Sequence, residues 1–270
     1  MIPFSKAHAC GNDFLIVAED AARDCDWAAL TRRLCERNTG VGADGIEFFS
    51  WTGRDSGRIR LHNADGSIAE ISGNGTRCVA AWMAAKTAAS AGSELRIETD
   101  AGLRVCRVNK VLDSTGNSFE ITTGMGTPAA SLRAVKVADG QEIAGATISM
   151  GNPHFVIAVE SADFMVAGRD WQAIGAEICT HPDFPQQTNV EFFQVHHPHE
   201  IEIRIFERGV GPTTSSGTGT SASAAAAILY RGCTSPLKVI APGGTQTVDW
   251  SGGELMLTGP ATLIAQGEAW

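Results

Sequence analysis

The sequence lacks the features that identify nucleic-acid-binding, membrane-spanning or secreted proteins. Its 270 residues carry a formal net charge of -9 and no basic run, so neither a nucleic acid nor an anionic membrane is expected as a partner. The longest apolar run, Ala224 to Tyr230, is far too short to cross a bilayer, and the start, MIPFSKAHAC, has no basic segment followed by an apolar one. We therefore predict a cytoplasmic protein that acts on a small molecule.

Metal-binding patterns are also missing. The 7 cysteines are an odd number and form no CxxC pair or metal-like spacing with histidine, which favours reduced, mostly buried thiols. Three histidines, His196, His197 and His199, flank Pro198 between two strand-like runs, where a polar hairpin loop is expected. We predict no metal site.

The sequence contains two similar halves, offset by about 140 residues. Matching segments occur in the same order in both halves: GN at 11–12 and 151–152, IEFF at 46–49 and VEFF at 190–193, IRL at 59–61 and IRI at 203–205, and SGNGT at 72–76 and SGTGT at 216–220. One such match arises by chance, but an ordered series indicates an internal repeat. Two structurally related domains are the expected result.

Each half has the same coarse pattern: strand, helix, strand, strand, glycine-rich turn, helix, strand. Helices are predicted for Trp27–Arg37, Thr76–Lys86 and Thr220–Tyr230, from apolar spacing in the first and alanine content in the other two. Runs such as RIRLHN, EIEIRIFE and LKVIA alternate like half-buried strands. The pattern is typical of an α+β protein.

The boundary between the halves is predicted between Ser118 and Gly126. Residues 1–118 form the first domain, completed by the last strand near 257–270, and residues 119–256 form the second. We expect the active-site cleft between them.

The two glycine-rich turns, SGNG at 72–75 and SGTG at 216–219, are predicted to bind a carboxylate. Each precedes a helix, where unpaired backbone N–H groups and the helix dipole favour an anion. Alternatively, Ser72 and Ser216 are ordinary helix N-caps and require no ligand. Polar residues end the neighbouring apolar segments and favour the binding interpretation: Asn12, Asn63, Asn152, Asn189, Glu207 and Arg208. Arg208 is suited to bind a second carboxylate through two parallel hydrogen bonds.

Two cofactors are not expected. Residues 40–45 match GxGxxG, but this motif follows a helix and precedes a strand, the reverse of a dinucleotide-binding fingerprint. Neither glycine turn has a lysine placed to form a Schiff base with pyridoxal phosphate. Chemistry without a cofactor remains.

At these residues the chain closely resembles the diaminopimelate epimerase family. The resemblance covers nearly the whole chain and rests on HACGNDF (8–14), GVGADGI (40–46), NADGSIAE (63–70), SGNGTRC (72–78), MGNPH (150–154), TNVEFF (188–193), ERGVG (207–211) and SGTGT (216–220). It implies two pseudo-symmetric domains, each a β-sheet wrapped around a central helix, and a homodimer. It also implies conversion of LL- to meso-diaminopimelate, by proton transfer at the α-carbon and without a cofactor, on the lysine and peptidoglycan pathway.

The resemblance also implies roles for individual residues. Asn12, Asn63, Asn152, Asn189, Glu207 and Arg208 correspond to residues that bind substrate, chiefly at its distal end. Gly73, Asn74, Gly217 and Thr218 correspond to the group that holds the reacting α-carboxylate. His154 and Glu207 correspond to residues that tune the pKa of the catalytic pair.

The catalytic pair itself differs from the family pattern. Ser72 and Ser216 occupy the two positions where the family has cysteines, and Pro212 replaces the glutamate that closes the ERGxGE motif. A serine hydroxyl is a much weaker acid than a thiol and needs an adjacent base. Four interpretations follow: an epimerase with serines as acid and base, an isomerase, racemase or dehydratase for another amino or hydroxy acid, a non-catalytic binding protein, or serines introduced to trap substrate. Natural divergence is favoured over the last because Pro212 also departs from the motif.

Overall fold

A computed structural model describes the whole chain, Met1 to Trp270, and divides it into two compact units. Unit 1 comprises Met1–Gly124 and Thr258–Trp270, whereas unit 2 comprises Met125–Leu257. The strand at Ser118–Gly124, which the sequence analysis places mostly in the second half, lies in unit 1. The mixture of strands and helices in both units confirms the predicted α+β class.

The two units contain their elements in closely similar order. Unit 1 contains β1 (Ile2–Ala9), β2 (Asn12–Ala18), a 3-10 helix (Glu19–Ala22), α1 (Trp27–Cys35), β3 (Gly45–Gly53), β4 (Ser56–Asn63), β5 (Ile68–Ala69), α2 (Gly73–Thr87), β6 (Glu94–Thr99), β7 (Gly102–Val111) and β8 (Ser118–Gly124). Then follow β9 (Ala129–Lys136), β10 (Glu142–Ser149), β11 (Pro153–Ala158), α3 (Trp171–Cys179), β12 (Asn189–His197), β13 (Glu200–Glu207), β14 (Gly211–Thr213), α4 (Gly217–Tyr230), β15 (Leu237–Ala241), β16 (Gly244–Asp249) and β17 (Met256–Ala269).

In unit 1 the sheet closes on itself around α2. Antiparallel pairs join β1 to β2, β3 to β4, β6 to β7 and β7 to β8, while parallel pairs join β2 to β3 and β4 to β6. The last strand, β17, completes the sheet because it pairs with both β8 and β1.

The strand pairing of unit 2 repeats that of unit 1. Antiparallel pairs join β9 to β10, β10 to β11, β12 to β13 and β15 to β16. The parallel pairs, β11 with β12 and β13 with β15, occupy the same places in the repeat as β2 with β3 and β4 with β6. The internal repeat in the sequence therefore corresponds to a repeat in topology.

The central helices are buried on every side. All residues from Gly73 to Ala81 in α2 and from Gly217 to Ala227 in α4 are buried. A helix surrounded by a sheet has no solvent face and therefore no polar stripe. The alanine and glycine content of both helices keeps them thin enough to be enclosed, which explains why they are not amphipathic.

The predicted helices are correct in position but not in their bounds. Both central helices begin three residues earlier than predicted, at Gly73 and Gly217, so the glycines form the first helical turn. Helix α1 ends at Cys35 rather than at Arg37, because the chain turns back and both Val41 and Gly42 donate their N–H groups to the Leu34 carbonyl, each at 2.9 Å.

Side chains of β3 alternate between two cores in unit 1. Ile46 and Phe48 pack in the core beneath α1, whereas Phe49 packs in the core around α2. Strand β12 of unit 2 repeats this arrangement, with Val190 and Phe192 beneath α3 and Phe193 around α4. The alternation directs the intervening glutamates of both strands, at positions 47 and 191, towards the central helices.

Several smaller sequence predictions are confirmed. The 7 cysteines are free, and all except Cys25 are buried. The histidine-rich segment forms the predicted hairpin between β12 and β13, with His196 Nε2 3.0 Å from Glu202 Oε2. The GxGxxG segment follows α1 and leads into β3, which is the predicted order and the reverse of a dinucleotide-binding motif. No helix combines the length and apolar composition that a membrane crossing requires.

The core beneath α1 provides a test of the packing. Phe48 is fully buried, and its ring stacks on Trp27 with centroids 4.2 Å apart. We expect Phe48→Ala to lower the free energy of unfolding by about 3–5 kcal/mol, measured by denaturant titration. Leu103→Ala is the matched control, because Leu103 is 46% exposed in the same unit, and its effect should stay within about 0.5 kcal/mol. Equal effects of the two variants would contradict the assigned core.

Candidate active site

Ser72 forms the N-cap of α2 in unit 1. Its Oγ accepts a hydrogen bond from the Gly75 N–H at 3.0 Å, and its backbone is extended, with a φ of -125°. The Thr76 hydroxyl donates to the Ser72 carbonyl at 2.8 Å. Because the Ser72 oxygen acts as an acceptor in the cap, its own proton remains available for donation to another group.

Ser216 forms the N-cap of α4 in unit 2 in the same way. Its Oγ accepts from the Gly219 N–H at 3.2 Å and lies 3.5 Å from the Thr218 Oγ1. Ser216 is more deeply buried than Ser72, with 7% of its surface exposed. The N-cap interpretation is therefore confirmed for both serines. It is compatible with ligand binding, because a capped helix N-terminus still carries unpaired N–H groups and a partial positive charge.

An asparagine is tied to the first turn of each central helix. In unit 1 the Asn74 amide donates to Asn12 Oδ1 at 3.1 Å, and the buried Arg77 guanidinium donates to Asn74 Oδ1. In unit 2 the Asn152 amide donates to Thr218 Oγ1 at 3.4 Å. Asn12 corresponds to Asn152 in the repeat, and Asn74 to Thr218. Each unit therefore brings together two of the predicted substrate-binding residues beside its capping serine.

A charged network anchors the turn before β2 in unit 1. The Asn12 amide donates to Asp44 Oδ2 at 2.6 Å, and Arg37 bridges Asp44 at 2.7 Å and Asp13 at 2.8 Å. Lys6 lies 3.0 Å from Asp13. Burial raises the pKa of Asp13, but the hydrogen bonds from Arg37 and Lys6 outweigh it and lower the pKa below its ordinary value. A carboxylate therefore fixes the turn that carries Asn12.

His154 lies at the centre of a buried network in unit 2. Its Nδ1 is 2.7 Å from Glu191 Oε1 and its Nε2 is 2.9 Å from Asn152 Oδ1. Since the Asn152 amide nitrogen already donates to Thr218, the oxygen of Asn152 must accept, and His154 Nε2 donates. The contact with Glu191 then holds one further proton, either on the ring or on the carboxyl. The network continues through Thr218 to Ser216, which connects the predicted pKa-tuning histidine to a predicted catalytic position.

Glu47 occupies the place of Glu191 in unit 1, but without a histidine. Phe14 pairs with Gly45 as His154 pairs with Asn189, so a phenyl ring replaces the imidazole. Glu47 is 0% exposed, and neither carboxyl oxygen has a hydrogen-bond partner. Burial raises its pKa to about 8. Burial therefore favours the neutral form of the carboxyl.

Four other predicted site residues lie at or directly beside the ends of β4, β12 and β13. Asn63 ends β4 and donates to Ser67 Oγ at 3.0 Å within its own turn. Asn189 Oδ1 accepts from the Arg208 backbone N–H at 2.9 Å, and the Arg208 guanidinium donates to the Gln186 carbonyl at 3.0 Å. Glu207 ends β13, where it pairs with Gly211. Unit 2 thus brings Asn189 and Arg208 into contact, whereas Asn63 bonds to a residue outside the predicted set.

Glu47, Glu191 and Asp44 are not among the site residues predicted from the sequence. Glu47 and Glu191 appear in the repeat only as matching letters. The signal that identifies them is a glutamate between an aliphatic residue and two phenylalanines in a strand, at a position whose alternation directs it towards a buried helix. Asp44 lies inside the rejected GxGxxG segment.

The burial of Glu47 predicts a pH-dependent stability. Its pKa is raised from 4.5 in the unfolded chain to about 8 in the folded one, so the unfolded chain loses this proton first. Between these values the carboxyl destabilises the fold increasingly as pH rises. We expect Glu47→Gln to remove this decline, so that its free energy of unfolding relative to the unaltered chain increases from about pH 4.5 and levels off above about pH 8. Denaturant titrations across this range measure the difference. A pH-independent difference would show that the pKa of Glu47 is not raised.

The fold matches that of several solved structures. A hydroxyproline epimerase from Agrobacterium vitis with bound trans-4-hydroxy-L-proline superposes with a TM-score of 0.71 at 16% identity, covering 98% of this chain and 90% of that chain. A phenazine biosynthesis protein of the PhzF family from Bacillus anthracis superposes with a TM-score of 0.70 at 15% identity, covering 100% of this chain and 99% of that chain. These likenesses establish the fold.

The sequence comparisons establish the family. The profile of diaminopimelate epimerase matches residues 4–129 and 146–264. The diaminopimelate epimerase of Desulfitobacterium hafniense is 34% identical over 280 residues, covering 97% of this chain and 96% of that protein. The diaminopimelate epimerase of Desulforudis audaxviator is 36% identical over 279 residues, covering 98% of both. The chain belongs to the diaminopimelate epimerase family of isomerases, as its motifs predict.

Proposed function

We propose that this protein converts LL-diaminopimelate to meso-diaminopimelate by proton transfer at the α-carbon. In this proposal Ser72 and Ser216 act as acid and base on opposite faces of that carbon, and no cofactor takes part. The observation that carries the proposal is the matched pair of half-sites, each with a serine N-cap, a glycine in the first helical turn and a tethered asparagine. The reaction is that of the named relatives, whose sequences are similar to this chain over nearly its full length.

The helix starts are suited to hold the reacting α-carboxylate. Gly73 and Asn74 in unit 1, and Gly217 and Thr218 in unit 2, form the first turns whose N–H groups and dipole favour an anion. We propose that both turns face one ligand across the cleft between the predicted domains 1–118 and 119–256. Binding the α-carboxylate there stabilises the charge that develops when the α-proton leaves.

The serines require assistance to act as bases. An alkoxide at the N-cap gains stability from the N–H of Gly75 or Gly219, but a free serine hydroxyl remains far less acidic than a thiol. The His154 and Glu191 network supplies a proton-holding group on the Ser216 side. We propose that His154, with Glu207, tunes the acidity of the pair.

The distal end of the substrate is proposed to bind at Asn63, Asn189, Glu207 and Arg208, together with Asn12 and Asn152. Asn189 positions Arg208 through its backbone. We expect Arg208→Lys to weaken diaminopimelate binding by about 10- to 100-fold, because an ammonium group cannot form the bidentate contact that a guanidinium makes with a carboxylate. Isothermal titration calorimetry measures the change, and L-lysine, which lacks the distal carboxylate, is the control ligand. An equal loss of affinity for both ligands would show that Arg208 does not bind the distal carboxylate.

We further infer a cytoplasmic location and a homodimer. The location is supported by the biosynthetic role of the family reaction. The homodimer is supported by the family resemblance alone.

Turnover is tested by solvent deuterium. We expect the unaltered chain to incorporate deuterium at the α-carbon of LL- and meso-diaminopimelate, followed by proton NMR. The Ser72→Cys/Ser216→Cys variant is the positive control and should exchange faster, because a thiol with a pKa of about 8.5 is the better acid and base. Exchange by the cysteine variant alone would show a substrate-binding cleft without its catalyst. Exchange by neither protein would contradict the proposed substrate.

A further inference from the structure

A series of hydrogen bonds joins a cation to an anion through two of the predicted substrate-binding residues. The Arg77 guanidinium donates to Asn74 Oδ1, and the Asn74 amide donates to Asn12 Oδ1 at 3.1 Å. The Asn12 amide donates in turn to Asp44 Oδ2 at 2.6 Å. All of these side chains belong to unit 1. We call Arg77, Asn74, Asn12 and Asp44 the amide relay.

The two ends of the amide relay fix its direction. A guanidinium only donates hydrogen bonds, and a carboxylate only accepts them. The Asn74 oxygen therefore faces Arg77 and its nitrogen faces Asn12, whose own nitrogen faces Asp44. Turning either amide round would bring two donors or two acceptors together. The directions of both amides are thus set before any ligand binds.

Unit 2 has no counterpart of Arg77. The repeat places Ser221 of α4 at this position, and its hydroxyl donates to the Gly217 carbonyl at 2.9 Å, within its own helix. The Asn152 amide points the opposite way from that of Asn12, with its nitrogen towards Thr218 in the first helical turn. A central helix therefore does not need a large cation at this position to be enclosed by its sheet.

Arg77 is an unfavourable residue for stability alone. It is 0% exposed, and its Nε and Nη1 have no hydrogen-bond partner. The charge interactions that act on it come from the thiols of Cys10, Cys78 and Cys106 rather than from a carboxylate. Burying a charge without a partner is costly, and an apolar side chain of similar length would avoid that cost. The contact with Asn74 is the one hydrogen bond that the guanidinium makes.

We propose that Arg77 is a positioning residue that aligns Asn74 and Asn12 for the ligand. The inference rests on the proposed role of these two asparagines in substrate binding. Holding Asn74 by its oxygen strengthens its N–H groups as donors, because hydrogen bonds in series polarise one another. The substrate then meets amides that are already aligned, so binding does not have to order them. Arg77 acts through Asn74 and does not touch the substrate.

Arg77→Met tests this role, because methionine has a similar length and cannot donate a hydrogen bond. We expect LL-diaminopimelate to bind about 10-fold more weakly to this variant, the loss of one charge-assisted hydrogen bond, measured by isothermal titration calorimetry. The midpoint of urea denaturation should be at least as high as in the unaltered chain, since a buried charge is removed. A residue that only stabilises the fold would lower the midpoint when replaced.

NMR of protein labelled with ¹⁵N-asparagine follows the Asn74 amide directly, without ligand. We expect nuclear Overhauser effects from the Asn74 amide protons to the Asn12 side chain in the unaltered chain, and their loss in Arg77→Met. Arg77→Lys keeps a buried donor and should retain these effects and most of the affinity. Arg96→Met, at an exposed position on β6, is the matched control and should behave like the unaltered chain.

The outcomes separate this inference from the proposed function. An unchanged affinity of Arg77→Met, or Overhauser effects that persist in it, would overturn the role of Arg77. A lowered midpoint or a failure of Arg77→Met to fold would also overturn it, and so would equal losses of the Overhauser effects in Arg77→Lys and Arg77→Met. If the unaltered chain does not bind diaminopimelate, the proposed function fails. The Overhauser effects and denaturation midpoints then still decide whether Arg77 aligns the two asparagines.

Discussion

The hydrogen bond from a glycine N–H to a capping serine is the interaction on which both half-sites depend. Ser72 and Ser216 each end an extended segment and start a helix that is buried on all sides. The cap places the serine oxygen at the positive end of the helix dipole. It also leaves the hydroxyl proton available for donation to another group. The sheet that surrounds each helix fixes the neighbouring strands, and those strands carry the asparagines and glutamates of the site.

The two half-sites share a backbone but not their buried acids. In unit 2, Glu191 shares a proton with His154, and the network extends to Ser216. In unit 1, the corresponding Glu47 has no hydrogen-bond partner, and Phe14 occupies the position of His154. An epimerase must handle protons on two faces of one carbon, and these faces present different substituents. Different buried groups in the two units are consistent with that asymmetry.

The sequence predicts most of this structure, and the parts it does not predict have physical reasons. The repeat and the motifs predict the two related units, the central helices and the capping serines. Helix starts at Gly73 and Gly217 are missed because glycine is a poor helix former, and only the cap makes it helical. The last strand is expected to complete the first domain, but the register of β17 with β1 joins the two ends of the chain and is not encoded by local patterns. Glu47 is missed because charged residues are usually exposed, and only the enclosing sheet shows that it is buried.

The proposed function requires that both helix starts bind one ligand, and amide NMR of glycine-labelled protein tests this requirement most directly. Gly73 and Gly75 report on α2, while Gly217 and Gly219 report on α4. During titration with LL-diaminopimelate, the account predicts that the resonances of both pairs shift together, with one Kd and one ligand per chain. Shifts confined to one pair, or two different Kd values, would show that the half-sites do not form a single binding site.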